Sequence, residues 1–107
     1  MYTGTFDGLF KAKLRDNGIE YSEDDYKRFC TQLEKPFSLG ILDLSGQRIG
    51  INMLTKLTKV LRQAPHIRVF NLYGNLIRDH GIHSLLQLLL ANQQVEVLDI
   101  GCNDLSN

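Results

Sequence analysis

The chain repeats itself at a fixed interval. Leu39-Gly-Ile-Leu-Asp-Leu-Ser-Gly-Gln-Arg-Ile49 returns as Ile67-Arg-Val-Phe-Asn-Leu-Tyr-Gly-Asn-Leu-Ile77, and again as Val95-Glu-Val-Leu-Asp-Ile-Gly-Cys-Asn-Asp-Leu105, 28 residues apart each time. Leu42, Phe70 and Leu98 form one apolar column. Leu44, Leu72 and Ile100 form a second, and Ile49, Ile77 and Leu105 a third. Such a period constrains the fold more than any local propensity, because one unit of this kind cannot bury its apolar side alone and must stack on its neighbours.

Within each unit, the alternation at the Leu-x-Leu core predicts a short strand. A turn follows, with Gln47, Asn75 and Asn103 at matching positions. A helix then spans about Asn52 to Gln63 in the first unit, stopped by Ala64-Pro65. In the second unit it spans about His80 to Asn92, capped by Asp79. Leu54, Leu57, Val60 and Leu61 recur at the period as Ile82, Leu85, Leu88 and Leu89, and Leu86 joins the second apolar set. Strand, helix and strand in succession imply a parallel sheet with right-handed crossovers. The third unit supplies a strand and a turn, and the chain stops at Asn107. Val97, Leu98 and Ile100 are then thinly covered, so further repeats, or self-association through the exposed sheet edge, are expected to cover them.

The residues before Leu39 do not share the period. Phe6, Leu9, Phe10 and Leu14 fall near helical spacing over residues 6–16, and Asn17-Gly18 breaks that helix. Ser22 is a good N-cap for a second helix, with Glu23, Asp24 and Asp25 at its positive end. Tyr26, Phe29, Cys30 and Leu33 make its apolar stripe, and Pro36 marks its end.

The three aligned segments resemble the leucine-rich repeat pattern L-x-x-L-x-L-x-x-N-x-L, and their length and true helices resemble its ribonuclease-inhibitor-like class. Gly81-Ile at the start of the second repeat helix is similar too. The resemblance implies an α/β solenoid, with parallel strands inside the curve and helices outside. Residues 1–37 would be an N-terminal helical-hairpin cap, and residues 38–107 two full repeats and a partial third. It also implies that Asn75 and Asn103 tie adjacent turns together by side-chain hydrogen bonds, a pattern from which Gln47 departs. The N-terminus lacks the basic and apolar regions of a signal peptide, and there is no disulfide framework or Asn-x-Ser/Thr sequon, so a cytoplasmic setting is expected. A cap of this kind followed by such repeats also looks like the start of some centrosomal and ciliary proteins, which implies a cytoskeletal one.

The residues offer little chemistry for catalysis, and the chain is read as a non-enzyme. His66, His80 and His83, with Asp79, do not supply a nameable four-ligand metal set. Aligning Gly18 with the glycine of a calcium loop puts Lys13 and Arg15 at the first and third ligand positions, where cations defeat binding. Cys30 sits in an apolar stripe, Cys102 beside a turn, and their separation suggests no disulfide framework. Gly46 and Gly50 are turn glycines with no Gly-Lys-Ser/Thr after them. No cofactor is implied. Zero formal net charge gives no electrostatic case for nucleic acid or an anionic membrane. Leu85 to Ala91, the most apolar run, is too short to span a bilayer.

Strand alternation leaves one surface for function. With Leu42 and Leu44 inward, Ile41, Asp43 and Ser45 face the concave side, and so do Val69, Asn71 and Tyr73, then Val97, Asp99 and Gly101. Repeat solenoids bind proteins on such surfaces, and Tyr73 is its one amphipathic aromatic, a residue type frequent among interface anchors. The expected function is therefore protein–protein interaction on this face. The alternative, regulation of a GTPase, follows from resemblance to activators among leucine-rich repeat proteins and would use turn residues such as Arg48, Arg78 and Asp79.

Overall fold

A computed structural model describes residues 3–75, 77–101 and 103. Cys102 and Leu105 lie outside that set, as do the side chains of Arg78, Asp79 and His80. Four helices and three strands follow in the order α1 (Thr3–Asn17), α2 (Glu23–Ser38), β1 (Ile41–Asp43), α3 (Ile51–Gln63), β2 (Val69–Asn71), α4 (Arg78–Ala91) and β3 (Val97–Asp99). The strands form one parallel sheet in the order β1-β2-β3. Leu42 pairs with Phe70 and Phe70 with Leu98, so the first apolar column of the sequence is one rung of the sheet.

The register follows from burial. A slip by one residue would turn every strand side chain to the opposite face. Leu42, Leu44, Phe70 and Leu72 have no exposed surface in the observed register, and they share one continuous core with Leu9, Phe10, Phe29, Leu33, Met53, Leu57 and Leu61. Each such side chain taken out of water stabilises the fold by roughly 1.5–3 kcal/mol. α1 and α4 both pack on α3 and, among the described residues, do not meet one another, while α2 lies against β1.

Four local features differ from the sequence-based expectation. The proline rule ends the second helix at Pro36, yet α2 runs on to Ser38. Its last turn is tightened by Leu39 N–H donating to the Pro36 carbonyl (3.0 Å) and Gly40 N–H to that of Phe37 (3.1 Å). Phe37 holds this turn in place, being 1% exposed and edge-on to Phe6 and to His66 at 5.3 Å each. Leu39, first in the repeat pattern, is consequently 70% exposed, because it caps a helix that has already delivered Phe37 inward; its counterpart Ile67 is fully buried.

The second difference is at α1, which begins at Thr3 rather than residue 6. It does end as its sequence suggests: Gly18 takes φ +59° and Ile19 N–H donates back to the Leu14 carbonyl at 3.2 Å. Third, the repeat helices start one or two residues early, at Ile51 and Arg78, so Asp79 lies inside α4 and Ile77 is the N-cap residue. Fourth, Leu86 is 52% exposed, not part of the core, and Ile82 and Leu89 are only half-buried, whereas their counterparts Leu54 and Leu61 are buried. α4 packs against α3, but among the described residues no helix follows α4. None of the described helices is long and apolar enough to cross a membrane.

Candidate functional site

The register brings the outward positions into three straight rows across the strands. Ile41, Val69 and Val97 lie abreast, and so do Asp43, Asn71 and Asp99. Ser45, Tyr73 and Gly101 continue the line two residues on. Exposure grows from β1 to β3: Ile41, Asp43 and Ser45 are half-buried, whereas Val97 and Asp99 are exposed. The middle row repeats one turn geometry. Asp43 Oδ1 accepts from Ser45 N–H (3.1 Å) and Ser45 Oγ (2.7 Å), Asn71 Oδ1 from Tyr73 N–H (3.0 Å), and Asp99 Oδ1 from Gly101 N–H (3.0 Å). An aspartate and an asparagine serve alike here, since only a side-chain oxygen two residues before the donor is required.

Tyr73 is 48% exposed, and its ring lies over Gly101. A Cβ at position 101 would come within 3.0 Å of the ring, so the missing side chain is what lets the ring lie there. Alternation along the strand places Tyr73 on this face, but its dependence on a residue one repeat away appears only in three dimensions.

Behind this face, a ladder of buried side-chain amides holds the turns together. Asn103 Oδ1 accepts from Asn75 N–H (3.0 Å) and Ile77 N–H (3.1 Å), while its Nδ2 donates to the Leu72 carbonyl (2.8 Å). One turn back, Asn75 Oδ1 accepts from Gln47 N–H (2.8 Å) and Ile49 N–H (3.3 Å), and Nδ2 donates to the carbonyls of Leu44 and Leu72 (2.8 Å each). Gln47 has no earlier turn to bind. Its longer side chain reaches the helices instead: Nε2 donates to Gln32 Oε1 (2.8 Å) and Oε1 accepts from Lys13 Nζ (2.6 Å). Gln32 Nε2 in turn donates to the β1-side carbonyls of Ser45 (3.1 Å) and Asp43 (3.3 Å), doing at the sheet edge what another strand would do. Burial lowers the Lys13 pKa from the ordinary lysine value, Asp25 opposes the shift and Arg48 adds to it.

Sequence inspection also misses Asp16. Gly50 occupies the N-cap of α3 and has no side chain to offer. Asp16, from the end of α1, supplies the acceptor: Oδ2 takes the N–H groups of Gly50 (2.9 Å) and Met53 (3.0 Å), and Oδ1 that of Asn52 (2.8 Å). An uncapped glycine at a helix start is the sequence signal that an outside acceptor is needed.

The other candidate chemistry is dispersed. His66 Nε2 lies 2.9 Å from the Phe37 carbonyl oxygen, His83 contacts Gln87, and the His80 side chain is outside the described set. No group of three or more His, Cys, Asp or Glu gathers among the described residues as a metal ion would need. Arg48 is the only turn residue of the Arg48, Arg78 and Asp79 set whose side chain is described; it is exposed, with φ +54°, and its carbonyl accepts from Asn17 Nδ2. Clefts of about 300 Å³ between α1 and α3, and of about 220 Å³ beside Lys13 and Gln47, lie away from the three rows. The chain matches no family model, no curated protein and no solved structure.

Proposed function

We propose that the chain is a leucine-rich repeat module with a helical N-terminal cap, and that it binds a protein partner on the open face of its sheet without catalysing a reaction. The 28-residue spacing of the amide ladder supports the repeat assignment, because Asn75 and Asn103 bind the turn before them in the same way. One observation carries the functional reading. Nine outward positions are held in three rows by a rigid ladder, and a tyrosine among them is partly exposed over a glycine. A pre-organised surface of this kind lowers the ordering cost of association, and a broad face suits a macromolecule better than a small ligand, which needs a concave pocket.

The test uses a partner identified by affinity capture. A Tyr73→Ala/Asn71→Ala double variant should lose it, while Ile51→Ala, which removes an exposed apolar side chain from α3, should retain it. Undiminished binding by the double variant would overturn the proposal.

A further inference from the structure

We infer that the partner docks a basic amphipathic helix across the strands, with cations on Asp43 and Asp99. This inference rests on the proposed binding face and adds the shape and charge of its occupant. The rows carry two carboxylates and no cation. Arg68 and Glu96, which precede β2 and β3, pair with one another at 3.9 Å and so add no net charge. Each aspartate gives one oxygen to its own turn, which fixes the carboxylate that a partner's cation would meet.

Spacing selects the helix. Asp43, Asn71 and Asp99 stand on successive parallel strands in direct register. Strands lie about 4.8 Å apart, so the two carboxylates are about 10 Å apart with an amide midway. A helix laid across the strands repeats a side chain about every 5.4 Å and places residues i and i+7 about 10.5 Å apart on one face. Cations at i and i+7 therefore meet Asp43 and Asp99, and residue i+3 or i+4 meets Asn71. An extended strand in the same direction repeats same-face side chains every ~6.8 Å and fits neither interval. The three rows together are about 13 Å wide along the strands, close to the 10–12 Å diameter of a helix with its side chains. One flank of that helix would cover Ile41, Val69 and Val97 with apolar groups, and the other would meet Tyr73.

The experiment uses stapled helical peptides of about sixteen residues on one scaffold. One carries Lys at i and i+7, one carries Glu at the same places, and one carries Lys at i and i+5. Binding is read by fluorescence anisotropy and by amide chemical shifts in the full chain. The i, i+7 lysine peptide should shift the amides of Asp43, Asn71, Tyr73 and Asp99 and bind at least about tenfold more tightly than the other two, as for desolvated charge pairs. Asp43→Asn/Asp99→Asn should abolish that preference without loss of fold, because Asn71 already makes the same turn bond at the equivalent position. Equal or tighter binding of the glutamate peptide at the same amides would overturn the charge assignment and leave the face as a binding surface. Equal binding of the i, i+5 peptide would overturn the register. No shift at these amides with any peptide would overturn the helical occupant, whereas the binding face itself stands or falls by the Tyr73/Asn71 variant.

Discussion

Replacing Asn75 with alanine removes the centre of the amide ladder. The side chain is 2% exposed and makes five hydrogen bonds, accepting from Gln47 and Ile49 and donating to Leu44, Leu72 and Tyr73. The Leu72 carbonyl keeps a donor in Asn103, so it is not stranded. The N–H groups of Gln47 and Ile49 and the carbonyl of Leu44 lose their side-chain partner. A buried polar group left unpaired costs about 1–3 kcal/mol, and partial entry of water reduces the sum to about 3–5 kcal/mol. A chain of this size has roughly 5–15 kcal/mol in total, so Asn75→Ala should lower the melting temperature by roughly 15–25 °C. With no tryptophan in the chain, far-UV circular dichroism in urea is the suitable probe. Gln47→Ala provides the comparison. It breaks side-chain bonds to Lys13 and Gln32 in a part-buried setting and leaves Asn75 on the Gln47 backbone, so its cost should be about 1–2 kcal/mol. A loss below about 1 kcal/mol for Asn75→Ala, or a larger loss for Gln47→Ala, would refute the ladder as the device that joins the turns.

Asp16→Ala should cost about 1–2 kcal/mol, as for loss of an N-cap, and amide exchange at Gly50, Asn52 and Met53 should quicken more than in the rest of α3. Two glycines should respond in opposite directions. At Gly8 a Cβ meets nothing within 4 Å, so Gly8→Ala should raise stability by about 0.5–1 kcal/mol in thermal unfolding. At Gly40 φ is +89° and a Cβ would lie 2.9 Å from the His66 carbonyl oxygen, so Gly40→Ala should destabilise the fold. Burial, followed by the hydrogen bond with Cys30, pushes the Tyr26 phenol up to about 12 from 10.0. The folded state thus holds this proton more tightly than the unfolded state. Its contribution is complete below pH 10 and lost as pH rises toward 12. Tyr26→Phe should accordingly flatten the loss of stability across that window in pH-dependent urea unfolding.

The parallel sheet and the rows of its open face were legible from residue spacing. A period of 28 forces like residues abreast once the units stack, and strand alternation decides which of them face the core. The column of Leu42, Phe70 and Leu98 contains enough information to set the register, because burial penalises any slip. The junction between the helices and the repeats was not legible in the same way. Asp16 caps α3 from 34–37 residues away, Gln32 serves the edge of β1, and Lys13 meets Gln47. These are single contacts with no period, so no pattern announces them.

Local rules also failed where tertiary packing outweighed them. Pro36 does not end α2, because Phe37 gains a buried place between Phe6 and His66 that holds the last turn helical. Leu39 has a repeat leucine's identity but not its burial, because the helix before it has already filled the space. The periodic part follows from residue spacing alone, because each unit repeats the same apolar and amide positions. Closure of the first unit does not, since it depends on which distant polar groups reach the unpaired N–H and carbonyl groups of β1 and α3.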